Sequence, residues 1–168
     1  MENVLDLKQT FPNSGRVDWI GIATERLGDI SVLHSVHVEV GTGIQGEHHA
    51  NSSRSKRQVT LFQAEYLPVL ALLIQQERVD PRVLRRNIVV SGINLNALKT
   101  LPFRIGDAVL CGSGPCPPCS RMEANLGTGG YAAMLGHGGI TATVQTAGEI
   151  RVGDRVVFDA TLSASAER

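Results

Sequence analysis

The chain has no net charge, few cysteines and no long apolar run, and each shortage removes a class of protein. Sixteen basic side chains cancel sixteen acidic ones over 168 residues, so no global field draws the molecule onto nucleic acid or an anionic membrane. Any anion must be held by a local cluster of cations. Three cysteines, an odd number, do not make a disulfide framework. The opening MENVLDLK lacks the basic region and apolar run of a secretion signal, so the cytoplasm is the expected compartment. The longest apolar candidate, at 67–74, falls well short of the roughly 20 residues of a membrane span. With 42% hydrophobic residues, the length and composition fit one globular domain with an adequate core.

Most of the order reads as short strands separated by glycine-containing turns. Val- and Ile-rich patterns at 17–23, 30–40, 58–61, 87–91, 108–111, 141–145 and 155–158 predict strands, and their even spacing predicts a barrel or closed sheet. One helix is expected within 62–78, with Leu67, Leu70, Leu73 and Ile74 on one face and Thr60 with Gln63 as its capping pair. Pro68 is tolerated only in a first turn, so that helix starts near Glu65 or bends at the proline. Gly127, Gly129 and Gly130 divide the following region into a short helix and a second turn at 131–135. The pairs Gly106-Asp107 and Gly153-Asp154 read as turns that enter Val-containing strands. The expectation is a mainly β fold with a few helices (α+β), its core at about 16–159 and a frayed polar tail at 160–168.

The segment GSGPCPPCSRME at 112–123 concentrates the chemistry. Ser120 followed by Glu123 resembles a reciprocal capping pair, which would put Cys119 at the mouth of a helix. There the positive end of the peptide dipoles favours thiolate, the form that attacks electrophiles or ligates a soft metal. The prolines at 117 and 118 restrict the loop. The same Cys-x-x-Cys spacing also fits a disulfide, half a zinc site, a thioredoxin-type redox pair or two packed thiols. Zinc would need a second ligand pair, and the chain offers only Cys111 and five scattered histidines.

A polar stretch at 43–58 gathers Arg54, Lys56 and Arg57 among serines and glycines. Such a loop can clamp phosphate through guanidinium forks and neutral donors, or it can be a solvated surface loop. A second basic element, Arg82 with Arg85, Arg86 and Asn87, precedes the apolar Ile88, Val89 and Val90. Asn87 both donates and accepts, which suits a heterocycle edge as well as a phosphate. His48, His49 and His137 receive no assigned role.

Six short motifs occur in one order: RQVTL at 57–61, RNIVVSG at 86–92, FRIGD at 103–107, GPCPPC at 114–119, GGI at 138–140 and GEIRVGD at 148–154. In this order they resemble the MOSC family, the molybdenum cofactor sulfurase C-terminal domain, over about 16–159. The resemblance implies a compact closed β-barrel that recognises the pterin-phosphate molybdenum cofactor. It also implies one functional cysteine at the second position of the Cys-x-x-Cys segment, here Cys119. The related mitochondrial amidoxime-reducing component uses its matching cysteine as a molybdenum ligand, so Cys119 is the expected molybdenum ligand and catalytic residue. Arg54 and Arg57 match the family's phosphate and pterin contacts loosely, and Arg86 with Asn87 match its strand entry more closely.

These correspondences imply a molybdenum-dependent reductase of N-hydroxylated compounds, acting on a small-molecule substrate with electrons from a separate donor protein. The family resemblance also leaves room for a sulfur carrier, in which Cys119 bears a persulfide taken from a sulfur donor, for metal-sulfur cluster or cofactor assembly, and Cys116 resolves it. A non-catalytic cofactor-binding module is the third reading.

Overall fold

The computed structural model describes residues 3–50 and 55–163. The chain opens with α1 (Val4–Lys8), then β1 (Gly15–Ile22), β2 (Ser31–Leu33), β3 (Ser35–Glu39) and β4 (Gly43–Ile44). Next come β5 (Val59–Gln63), α2 (Tyr66–Leu73), α3 (Pro81–Leu84), β6 (Ile88–Ser91), α4 (Leu95–Leu98), β7 (Pro102–Ile105) and β8 (Ala108–Pro115). The last third holds α5 (Ser120–Leu126), α6 (Gly130–Met134), β9 (Ile140–Thr146), β10 (Gly148–Arg151), β11 (Arg155–Phe158) and α7 (Ala160–Ser163).

The ring runs β11-β7-β8-β9-β5-β6-β1 and closes by pairing β1 with β11, while β2 hangs off β1. Seven strands therefore form a closed barrel, which removes the unpaired edges that an open sheet would have to protect. Strands β10, β3 and β4 make a separate small sheet. No helix among the described residues is long and apolar enough to cross a membrane.

One pair breaks the antiparallel rule. β5 and β6 run parallel, so the chain must cross over between them, and α2 and α3 make that crossing. The crossing helices cover the outer face of these two strands. In β5 every residue is buried, with Val59 and Leu61 in the barrel core and Phe62 in a second cluster with Leu70, Leu84, Met122, Leu126 and Met134. β6 divides in the same way, Ile88 and Val90 inside the barrel and Val89 under the helices. The continuous apolar run Ile88-Val89-Val90 reflects burial on both faces, and each full Leu, Val, Ile or Phe burial contributes about 1.5–3 kcal/mol.

The predicted strands are present, with the 30–40 run broken at His34 into β2 and β3. Short β4, β7 and β10 were not expected from the sequence pattern. α2 starts at Tyr66 with Pro68 in its first turn, as proline's missing N–H demands. Its expected capping pair does not form. Thr60 lies within β5 and hydrogen-bonds Asn87, while the Gln63 side chain accepts from Leu95 N–H and donates to Glu65. The apolar face also differs, because Leu73 is exposed while Leu70 is buried. Of the expected frayed tail, residues 160–163 form α7, and 164–168 lie outside the described residues.

Candidate functional site

The expected capping pair at 120–123 is also absent. Cys119 itself takes the N-cap position of α5, with no side-chain bond to the helix, and Ser120 is the first helical residue. Glu123 reaches forward to accept from the N–H groups of Gly129, at 2.7 Å, and Tyr131, at 2.9 Å. It thereby satisfies donors at the start of α6, which lie next to α5 in space as well as in sequence. These hydrogen bonds lower the Glu123 pKa, the bond from Tyr131 most.

All three cysteines are free thiols: Cys116 is buried, Cys111 half-buried and Cys119 exposed. Cys119 opens into a cleft of about 350 Å³ at the end of the barrel where β5 and β6 begin and β1 ends. That volume falls within the range of small-molecule sites. Among the described residues, Arg26, Arg57, Arg85, Arg86 and Arg121 line it, against a single lining carboxylate, Glu47. In a chain of zero net charge, this is the local cation cluster that an anionic ligand requires.

The basic residues differ in what they have free to offer. Arg57 is exposed and lines the cleft. Arg54 lies outside the described residues. Arg85 adopts a left-handed backbone, φ 54°, where α3 ends, and donates from Nη1 to the Gly28 carbonyl at 2.8 Å. The loop at 23–30 is thereby tied to the entrance of β6.

Arg86 is only 3% exposed, and its guanidinium is spent on the backbone. Nε donates to Gly138 O at 2.9 Å and Nη1 to Leu84 O at 3.0 Å, while Nη2 donates to Cys116 O at 3.3 Å and Pro117 O at 3.2 Å. Burial lowers its pKa, with Cys116 and Cys119 pulling upward and Arg57 pushing downward. It binds three separate chain segments and sets the Cys-x-x-Cys loop against the barrel. The glycines beside His137 allow that loop to seat: a Cβ on Gly138 would overlap the Cys116 carbonyl, and one on Gly139, at φ +87°, would overlap the Leu61 carbonyl.

Asn87 is similarly engaged. Its Oδ1 accepts from Thr60 N–H at 3.0 Å and Thr60 Oγ1–H at 2.9 Å, and its Nδ2 donates to Gly21 O at 3.4 Å and Glu47 Oε2 at 3.1 Å. It therefore joins β1, β5, β6 and the polar loop at the floor of the cleft.

Glu47 was missed by the sequence reading. This acid is buried, accepts from Ala23 N–H at 2.9 Å and lies 2.5 Å from His48 Nδ1. The rings of His48 and His49 lie with centroids 3.8 Å apart. Burial lowers the His49 pKa, aided by His48, Arg57 and Arg85 and opposed by Glu47. The doubled histidine was the available signal, but nothing in a polar loop marks one acid as buried. Glu47, His48 and His49 also offer three potential metal-ligating atoms within 4.8 Å of one another. His137 does not line the cleft. Its ring meets Tyr66 edge-on at 4.7 Å, and its Nδ1 is buried without a partner among the described residues.

The chain is similar in structure to the YuaD protein of Bacillus subtilis, at 21% identity and a TM-score of 0.76 over 88% of this chain and 97% of that one. It also resembles YiiM of Escherichia coli, at 16% identity and TM-score 0.69 over 89% of this chain and 71% of that one. YiiM of Geobacillus stearothermophilus matches at 16% identity and TM-score 0.68 over 86% and 75% of the two chains. At these identities the likeness establishes the fold. The search of curated proteins yields no match. The MOSC domain model matches residues 45–157, an interval that contains the basic loop, both parallel strands, Arg86, Asn87 and Cys119, and the chain belongs to the MOSC domain family.

Proposed function

We propose that the cleft binds the pterin-phosphate molybdenum cofactor and that the loaded protein reduces N-hydroxylated compounds. The observation that carries this reading is an exposed thiol, Cys119, opening into a cleft lined by five arginines. The donor set fits the group on two counts. A thiolate is a soft, strongly donating ligand for molybdenum, and guanidinium forks suit a phosphate.

Cys119 would hold the metal, and Arg57, with Arg26 and Arg121 that also line the cleft, would hold the phosphate. Arg86 and Asn87 act through the scaffold. Arg86 fixes the carbonyls of Cys116 and Pro117, and Asn87 fixes the strand ends beneath the cleft. This outer support keeps a metal ligand in one orientation. Bound molybdenum supplies the two-electron redox chemistry, with electrons from a separate redox protein.

The test is turnover of a benzamidoxime by cofactor-loaded protein with reduced methyl viologen as electron source. Wild type should form the amidine and Cys119→Ser should not. An active Cys119→Ser protein would rule the reading out.

A second reading rests on Cys116, a free buried thiol three residues from the exposed one. A sulfur carrier would hold a persulfide on Cys119; attack of the Cys116 thiolate on its inner sulfur would form the Cys116–Cys119 disulfide and release the outer sulfur as hydrosulfide. It predicts cyanide-labile sulfur on isolated protein without molybdenum.

A further inference from the structure

We infer that Glu47 and His48 form a carboxylate–imidazole pair that presents Nε2 of His48 to the cleft as its proton-transfer group, with Glu47 as the positioning residue. The identity of the proton's recipient rests on the reductase reading. The pair itself rests on geometry alone.

Oxygen Oε2 of Glu47 accepts from two donors, Ala23 N–H at 2.9 Å and Asn87 Nδ2–H at 3.1 Å. Its other oxygen lies 2.5 Å from His48 Nδ1, which is also 3.1 Å from the Ala23 carbonyl. Nδ1 thus faces two acceptors, so it carries the proton and Nε2 carries the lone pair. The His48 side chain is 16% exposed and lines the cleft that contains Cys119. Five arginines share that cleft, yet among the described residues the side chain that meets the free oxygen of Glu47 is the imidazole of His48. A carboxylate serving only to neutralise charge would pair with a guanidinium. One locked onto imidazole Nδ1 fixes the tautomer and stabilises the imidazolium formed when Nε2 takes a proton. The same arginines disfavour a divalent cation on Glu47, His48 and His49.

Reducing an N-hydroxylated base breaks one N–O bond, consumes two electrons and two protons, and yields the N–H product and water. The electrons come from the external redox protein through the cofactor. His48 Nε2 gives one proton to the departing hydroxyl oxygen and is reprotonated from solvent, while the second proton reaches the nitrogen from solvent and forms the N–H of the product.

The first test needs no cofactor: ¹⁵N-imidazole NMR at about pH 8, above the ordinary imidazole range. Wild type should show His48 as the Nδ1–H tautomer. In Glu47→Gln the amide oxygen must take the two donors at the Oε2 position, which turns the amide NH₂ toward Nδ1. The tautomer should therefore switch to Nε2–H. An Nε2–H tautomer in wild type, or no change in the variant, overturns the pair.

In loaded protein, His48→Gln and Glu47→Gln should each lower kcat about 100-fold with molybdenum content and KM little changed. A loss below about threefold overturns the proton-transfer role, since general acid–base groups contribute more than that. Wild-type protein without turnover would defeat the reductase reading and the named proton recipient, while the NMR result still decides the pair. Stoichiometric zinc uptake by metal-free wild type that is lost in His48→Gln would replace the pair with a metal site.

Discussion

Arg86→Met removes four hydrogen bonds from one buried guanidinium while preserving most of the aliphatic stem. Two of these bonds, to Gly138 O and Leu84 O, are 2.9 and 3.0 Å long, and hydrogen bonds to charged groups contribute about 1.5 kcal/mol or more each. The two to Cys116 O and Pro117 O, at 3.3 and 3.2 Å, count for about half as much. The gross loss is about 4–5 kcal/mol. Freedom from burying a guanidinium, whose cost is visible as a pKa lowered by burial, recovers part of it, leaving about 2–3 kcal/mol net. For a chain of 168 residues this lowers Tm by about 4–12 °C. The second readout is thiol labelling. Wild type should label rapidly at exposed Cys119 and stay silent at Cys116, which is 1% exposed. Arg86→Met should make Cys116 reactive, because the carbonyl bonds that seat its loop are gone. Arg86→Lys should fall between the two, since one ammonium cannot span three chain segments. A Tm within about 2 °C of wild type, below the shift expected for 1 kcal/mol, with Cys116 still silent would refute the pinning role.

Three further outcomes follow from the same geometry. Gly138→Ala should expose Cys116 to labelling in the same way, because the new Cβ overlaps the Cys116 carbonyl. Unchanged Cys116 protection in that variant would show that the loop is seated by other contacts. Asp80→Ala should cost about 0.5–1 kcal/mol in urea titrations, since the N-cap side chain accepts from Arg82 N–H at 2.9 Å but is largely solvated. The Asp80 pKa is lowered chiefly by its hydrogen bond from the Arg82 side chain. Its contribution is therefore complete above the ordinary aspartate value of 3.8 and disappears as pH falls through the lower folded value. A difference between wild type and Asp80→Ala that persisted or grew on acidification would contradict this sign.

The strands were legible where burial leaves an unbroken mark. β6 is buried on both faces and reads as the apolar run Ile88-Val89-Val90, and β5 shows Val59, Leu61 and Phe62 around the buried Thr60. β4 has two residues, too few for any period to emerge, and β7 (PFRI) and β10 (GEIR) carry a single β-branched residue each, so neither stands out as a strand. The helix starts show how short-range pattern misleads. Ser120 and Glu123 have capping-box spacing, yet Glu123 finds its donors at Gly129 and Tyr131, a choice made by the packing of α6 on α5. Motif order located Arg86 and Asn87 but not their manner of action. Both are consumed by backbone and floor contacts, and the contacts of a buried polar side chain depend on partners distant in sequence. Glu47 was invisible for the same reason, its partners Ala23 and Asn87 lying 24 and 40 positions away.

If Cys119 holds molybdenum in the arginine-lined cleft, the metal must be lost with the thiol. Elemental analysis for molybdenum, zinc and excess sulfur on wild-type and Cys119→Ser protein, purified under native conditions from a host that makes the cofactor, tests this. Near-stoichiometric molybdenum is expected in wild type, with its loss in Cys119→Ser while the fold stays intact. Labile sulfur or zinc in place of molybdenum, or equal molybdenum in both proteins, would contradict it.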